Sequence, residues 1–311
     1  MPQGRGRVAA TIIREYLAIT LQEMGLRAAA RRLRMPGRYA RRSAAVDVPS
    51  SPAVVGVEGD EAHRACAEPT SGPIPVIVDT HSERHLQFSA GALQSRMRLD
   101  DPYALIAPYT RQMMSFLLFD PDPEHILLIG LGGGSMAKFC YRHLRHTRIT
   151  VVESDSRVIA LREAFRIPAD DHRFRVVHDD GARYVARHAQ PVEAILVDAF
   201  DEMGVSPSLA TQDFFRAASR LLSSTGVLIM NLHGDPERFA GHLHQACTVF
   251  GERALLARVT ANDNDLLYAF ARRAPLPAAK HLFLRARHLQ SKMPLNFRHY
   301  LGQLRDGRRA A

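Results

Sequence analysis

Between residues 125 and 249 the chain alternates short apolar runs with helical stretches so regularly that few architectures remain open to it. The apolar runs cover residues 125–129, 149–153, 174–177, 194–198 and 226–231, and helical patterns fill 135–145, 156–165, 182–188, 212–222 and 236–249. Unbroken apolar runs of this length are strands covered on both faces, and strands separated by helices lie parallel with right-handed crossovers. The series then closes differently. Residues 254–260 and 266–272 are strand-like with only five residues between them, too few for a crossover helix, so they pair antiparallel.

A smaller unit precedes this series. Residues 74–78, 86–88 and 92–97 are short strand-like runs, the last two joined across Ser89-Ala90-Gly91, which is hairpin chemistry. A helix is predicted over 103–118, with Leu105, Ile106, Met113, Phe116 and Leu117 for a buried face. The whole predicts an α/β protein. A class I methyltransferase-like Rossmann sheet, mostly parallel with a closing antiparallel hairpin, follows a small β-rich N-terminal domain. Four segments result: a basic extension and linker over 1–72, the β-rich domain over 73–120, the methyltransferase-like domain over 121–272, and a basic extension over 273–311.

Charge follows the same division. Lys and Arg number 11 against 7 acids in residues 1–72, 20 against 24 in 73–271, and 10 against 1 in 272–311, so the formal +9 belongs to the ends. A mildly acidic core argues against nucleic acid as a specific partner. Near the N-terminus, Ile12, Ile13, Leu17, Leu21 and Met24 are spaced for one stripe of an arginine-studded helix over 8–33, which Pro36 and Gly37 stop. Residues 280–309, with Leu282, Leu284, Leu289, Leu295, Tyr300, Leu301 and Leu304 among basic residues, read as amphipathic and packed on their own domain rather than on an anionic surface. No run approaches the roughly 18 apolar residues of a membrane span. Cys66, Cys140 and Cys247 are odd in number and far apart, so a disulfide framework is not expected and a reducing cytoplasm is.

Three stretches carry chemistry. Gly130, Gly132 and Gly134 follow the first apolar strand and precede a helix, so the turn can bring backbone N–H groups close to a ligand. Ser135 stands where a dinucleotide fingerprint wants its last glycine, which disfavours a nicotinamide oxidoreductase. Glu153 ends the second strand, where a carboxylate can accept both ribose hydroxyls. At the third strand Asp180, followed by Gly181, is placed to accept from an adenine amino group, while Asp179 is expected to cap the next helix. The fourth strand delivers Asp198 to its tip, with Asp201 three residues on. A carboxylate at the mouth of an apolar pocket has a raised pKa, which suits a general base taking a proton from an amine, and two carboxylates together attract a cationic amine.

From about residue 74 to 272 the chain resembles the spermidine synthase family of polyamine aminopropyltransferases. The resemblance rests on the β-rich prelude, Tyr109, the 130–134 loop, Glu153, Asp180-Gly181, and Asp198-x-x-Asp201 followed by Leu209-Ala210-Thr211-Gln212-Asp213-Phe214-Phe215. It implies that the loop and Glu153 hold the methylthioadenosine part of decarboxylated S-adenosylmethionine and that Asp180 contacts adenine. It also implies that Asp198 helps deprotonate the attacking amine, that Tyr109 and Asp201 help bind that amine, and that the enzyme is a homodimer or homotetramer. Two positions depart from the family pattern. Gly133 replaces an aspartate that grips the aminopropyl ammonium, and the Tyr-Gln-Glu segment reads Tyr109-Thr110-Arg111, where an arginine facing the pocket repels a polycation.

Amine attack beside a sulfonium is therefore the leading reaction, with positioning and proton acceptance by Asp198 as the protein's share. The sulfonium is already a good leaving group, so neither metal nor prosthetic group is called for. Decarboxylated S-adenosylmethionine is the expected co-substrate. Methyl transfer from intact S-adenosylmethionine, which Gly133 favours, and a non-catalytic nucleoside-binding protein, which Arg111 favours, are the alternatives. Cys140, His143 and His146, and likewise His242, His244 and Cys247, share helices without offering a four-ligand metal set.

Overall fold

The computed structural model describes residues 73–88, 93–201, 204–233, 236–259, 264–271 and 275–309. The predicted N-terminal helix over 8–33 lies outside the described residues, as does Cys66. Strands β1 (Pro75–Asp79), β2 (Glu83–Phe88) and β3 (Leu93–Arg98) form an antiparallel sheet in that order, with Ile77 opposite Leu86 and Leu86 opposite Ser95. Alternation turns Leu86 and Met97 into the core, while Val76, Ile77 and Val78 of the edge strand remain exposed. The Arg84–Asp79 ion pair and the Thr80 hydroxyl close the first turn.

Helix α1 spans only Pro108–Met113 and tightens into a 3-10 turn over Met114–Leu118, so the helix expected over 103–118 begins five residues late. Pro108 is the cause. Its Cδ disfavours helical ψ at Ala107, which is extended at φ −69° and ψ 133°, and its fixed φ and missing N–H suit a first helical position. Arg285 donates to the carbonyls of Leu118 and Phe119 at 3.0 and 2.6 Å and so closes the far end.

The main sheet holds β4 (His125–Ile129), β5 (Arg148–Glu153), β6 (Phe174–His178), β7 (Val192–Val197), β10 (Leu222–Leu232), β11 (Ala254–Arg258) and β12 (Asp265–Phe270). A two-stranded ribbon, β8 (Phe200–Asp201) and β9 (Gly204–Val205), follows β7. The sheet order is β11-β12-β10-β7-β4-β5-β6, and β12 alone runs antiparallel to both of its neighbours. The expected closing hairpin is thus present, inserted so that β12 rather than β11 meets β10. Chain order reverses at β4, whose neighbours are β5 and β7, and ligands of such sheets sit at that switch point.

Helices α2 (Ser135–His143), α3 (Ser156–Ala160), α4 (Gly181–Arg187), α5 (Gln212–Leu221) and α6 (Pro236–Phe250) cover the sheet. Helix α3 is half the length expected. The chain turns instead through Arg166, at φ +52°, which drives Phe165 and Ile167 into the core ahead of Pro168. Helices α7 (Ala279–Lys292) and α8 (Phe297–Arg309) add Leu282, Ala286, Leu289, Leu295, Phe297, Tyr300 and Leu304 to the same core cluster as β4 and β12, while Leu284 points to solvent. No helix among the described residues is long and apolar enough to cross a membrane.

Candidate active site

The tip of β7 and the glycine turn are pressed together. Asp198 donates its N–H to the Ile129 carbonyl at 2.9 Å, and a Cβ on Gly130 would lie 2.2 Å from the Asp198 carbonyl oxygen. Gly130 also holds φ +97°, so no other residue fits there. The turn continues through Gly132, beneath Ser95 of β3, and through Gly134, whose N–H bonds the Leu131 carbonyl at the start of α2.

Asp198 is held by both carboxylate oxygens. Tyr109 of α1 donates to Oδ2 at 3.2 Å, and Asn231 of β10 donates to Oδ1 at 2.9 Å. Burial pushes the carboxyl above its ordinary range, and the donors from Asn231 and Tyr109 return part of that rise. The Tyr109 phenol is driven well up by burial and then by the Asp198 charge, with Arg96 opposing, so it stays a neutral donor. A half-buried carboxylate held at both oxygens, and still able to ionise, has what a general base needs.

Glu153 has a second task that its position at the strand end did not announce. Its Oε2 accepts from the Leu131 N–H at 2.8 Å and its Oε1 from the Asp155 N–H at 2.9 Å, so the side chain braces the glycine turn. One lone pair on each oxygen is left for a ligand. Asp180, not Asp179, caps α4: its Oδ1 accepts from the Arg183 N–H at 2.8 Å and its Oδ2 from the Ser208 hydroxyl at 3.1 Å, with Gly181 as first helical residue. Asp179 is occupied elsewhere, by ion pairs with Arg183 and Arg187. Burial raises its carboxyl, but these arginines hold it below the ordinary range.

The two departures resolve differently. Arg111 stands two residues beyond Tyr109 on α1, hence on another face, and its Nε donates to the Leu105 carbonyl at 2.6 Å. It is exposed and bonded away from the Tyr109–Asp198 pair, which removes the expected repulsion of a cation at that pair. Gly133 is buried under β3, and a Cβ there would meet Ser95 Oγ at 2.7 Å and Phe165 Cδ1 at 3.0 Å. An aspartate at this position is crowded out. The Asp201 backbone pairs with Gly204, and its side chain lies outside the described residues.

Four neighbours of the site escaped the sequence: Ser95, Phe165, Asn231 and Asn264. Asn231 carried a signal, because a lone amide ending the otherwise apolar 226–231 run repeats the pattern of Asp198. Asn264 looked like turn chemistry, and nothing marked Ser95 or Phe165.

A sheet of this order, with a glycine turn after its central strand and carboxylates at the tips of the strands beside it, defines a class I methyltransferase-like α/β protein. Residues 107–248 match the spermine/spermidine synthase domain model. A polyamine aminopropyltransferase of Chromobacterium violaceum is 35% identical over 231 residues, covering 74% of this chain and 88% of that protein. One from Neisseria meningitidis is 34% identical with the same coverage. The chain belongs to the polyamine aminopropyltransferase family. The fold is shared with a probable spermidine synthase from Corynebacterium glutamicum, at a TM-score of 0.57 and 18% identity, covering 76% of this chain and 95% of that one. It is shared also with a spermidine synthase in complex with the transition state analogue AdoDATO, at a TM-score of 0.55 and 20% identity, covering 75% and 85% of the two chains.

Proposed function

We propose that the protein is an enzyme that transfers an aminopropyl group from decarboxylated S-adenosylmethionine to putrescine or a related amine. The amine nitrogen attacks the aminopropyl carbon bound to sulfur. A C–N bond forms as the C–S bond breaks, the electron pair returns to sulfur to leave neutral methylthioadenosine, and the new secondary ammonium loses its proton to Asp198. The observation that carries this is the Asp198 carboxylate, half-buried, doubly hydrogen bonded and locked beside the glycine turn. In this reading Gly130, Gly132, Gly134 and Glu153 hold the nucleoside, Asp180 and Gly181 flank adenine, and Tyr109 and Asp201 face the amine. The free thiols of Cys140 and Cys247 support work in a reducing cytoplasm.

Gly133 favours a second reading at the donor's tail, since no acid stands there to pair an aminopropyl ammonium. Methyl transfer from intact S-adenosylmethionine is that reading. One assay separates them: purified protein is given each donor with a panel of amines, and methylthioadenosine and S-adenosylhomocysteine are followed. Methylthioadenosine from the decarboxylated donor, lost by about a hundredfold or more in kcat on Asp198→Asn, is the expected result. Only S-adenosylhomocysteine, or full turnover by the Asn variant, would overturn it.

A further inference from the structure

Buried polar groups demand partners, and the partners of Asp198 extend beyond the site. Asn231 lies beside Asp198 because β10 pairs parallel with β7, Met230 opposite Val197. On its other side β10 runs antiparallel to β12, with Leu232 opposite Asp265, so the residue just before β12 comes within reach of Asn231. That residue is Asn264. Its carbonyl accepts from the Val259 N–H at 3.0 Å, closing the β11–β12 hairpin, and its Nδ2 donates to Asn231 Oδ1 at 2.8 Å. Asn231 and Asn264 are 2% and 6% exposed, so water does not substitute for either contact.

The two ends of a carboxamide have nearly the same shape and opposite hydrogen-bonding character. Packing alone does not decide which end of Asn231 meets Asp198. The charge of the carboxylate and the far end decide it together. An NH2 group from Asn264 requires the Asn231 carbonyl to face it, which leaves the Asn231 NH2 for the carboxylate. With the amide reversed, a carbonyl oxygen would face an anionic oxygen and two NH2 groups would face each other.

We infer that Asn231 and Asn264 are positioning residues for group transfer, forming an amide relay by which the closing hairpin aims the Asp198 carboxylate. The inference rests on Asp198 being the base. Tyr109 fixes the second oxygen of the same carboxylate, so its plane is set from two sides and each oxygen keeps a lone pair for the incoming amine. The groups acting on Asp198 are Tyr109 from α1 and Asn231 from β10, with Arg96 of β3 acting on the phenol. Asp265, next to Asn264, is the nearest buried acid in sequence to the relay.

The full-length protein is tested with decarboxylated S-adenosylmethionine and putrescine across pH 5 to 9, comparing wild type, Asn264→Ala and Asn264→Ser. In Asn264→Ala the Asn231 amide loses its orientation and Asp198 loses a steady donor. Its kcat is expected to fall about tenfold with the donor KM unchanged, and the acidic limb of kcat to move to higher pH. Asn264→Ser keeps a hydroxyl donor and is expected to recover part of both. A folded Asn264→Ala with the wild-type limb, or a rate loss that the Ser variant does not relieve and that leaves the limb in place, overturns the relay. If Asn264→Ala does not fold, the Ser variant is read against wild type: an unmoved limb and rate overturn the relay, a partial upward move supports it. Absence of turnover in the wild type with any donor would defeat the transfer reading instead. The Asp198 carboxyl can then be titrated by carbon NMR, assigned through Asp198→Asn, where an upward shift in the Asn264 variants supports the relay and an unmoved titration overturns it.

Discussion

At the scale of single residues, burial and two neutral donors pull the Asp198 carboxyl in opposite directions. Burial raises it, and the hydrogen bonds from Asn231 and Tyr109 lower it again. The base proposed here must be ionised to accept a proton, so kcat is expected to fall as pH drops through that raised value, above the ordinary carboxylate pKa of about 3.9. Tyr109→Phe removes one donor to the anion. The acidic limb of the kcat profile is expected to move further up and the plateau to fall about tenfold, read by following methylthioadenosine release against pH. A limb that stays in place would uncouple the phenol from the base. Asp198 was legible in the sequence because an ionisable residue ending an apolar run is costly without a purpose. Asn231 sent the same signal at lower amplitude, since an amide costs less to bury than a charge. Asp179 and Asp180 show the limit of such reading. Adjacent acids at a strand end are alike on paper, and only backbone geometry assigns the α4 cap to Asp180 and the arginines to Asp179.

At the scale of elements, the glycine turn is clamped between the tip of β7 and strand β3. That the turn is tight was legible in the spacing of Gly130, Gly132 and Gly134, but the approach of β7 and β3 was not, because nothing local in Asp198 or Ser95 announces a partner so far along the chain. The consequence falls on Gly133. Restoring the family acid by Gly133→Asp places a side chain against Ser95 Oγ and the edge of Phe165. The hydroxyl can rotate aside; the ring, fully buried, must yield by a few tenths of an ångström against a packed core. Overpacking of this kind costs about 1–3 kcal/mol, so thermal denaturation should show Gly133→Asp melting several degrees below wild type, with no gain in aminopropyl transfer. Partial recovery of the melting temperature is expected when Phe165→Leu is added. A Gly133→Asp variant as stable as wild type and faster with the decarboxylated donor would mean that the turn opens to admit the acid. Helices α1 and α3 carry a related lesson. Apolar spacing located both, yet Pro108 fixed the true start of α1, and α3 gives way after Ala160 to turns that run on to the left-handed Arg166, so a periodic pattern alone does not set where a helix ends.

At the scale of the whole molecule, the parallel sheet and its closing hairpin followed from the alternation of elements but the order of the strands did not, and the layer added by α7 and α8 came from a segment whose most visible property was its charge. Long basic side chains mask a buried stripe, and Leu282, Leu289 and Tyr300 lie in that stripe. Beneath the opposite end of the sheet a charge is buried outright. Lys138 of α2 is 0% exposed, its ammonium donates to the Phe165 carbonyl at 2.7 Å, and burial, aided by Arg166, lowers its pKa to about 7. An unfolded chain carries that lysine near its ordinary value of about 10.4. Between pH 7 and about 10 the unfolded state therefore binds more protons than the folded one, and stability rises with pH through that window. Below pH 7 the ammonium is charged in both states, so its burial cost is then fully present and constant. Other groups pull the other way at higher pH: Cys140, pushed by burial up to about 12, and Cys247, Tyr109 and Tyr268, all raised by burial, each keep in the folded state a proton that the unfolded state gives up. Unfolded cysteine ionises at about 8.5, so the lysine dominates from pH 7 to about 8. Urea unfolding there should show wild type gaining stability with each step in pH. Lys138→Met, which fills the space without a charge, should be more stable at pH 7 by on the order of a few kcal/mol and should lose that pH dependence. Parallel slopes for the two proteins would show that the ammonium reaches water, and would remove Lys138 from the set of groups that set the stability of this fold.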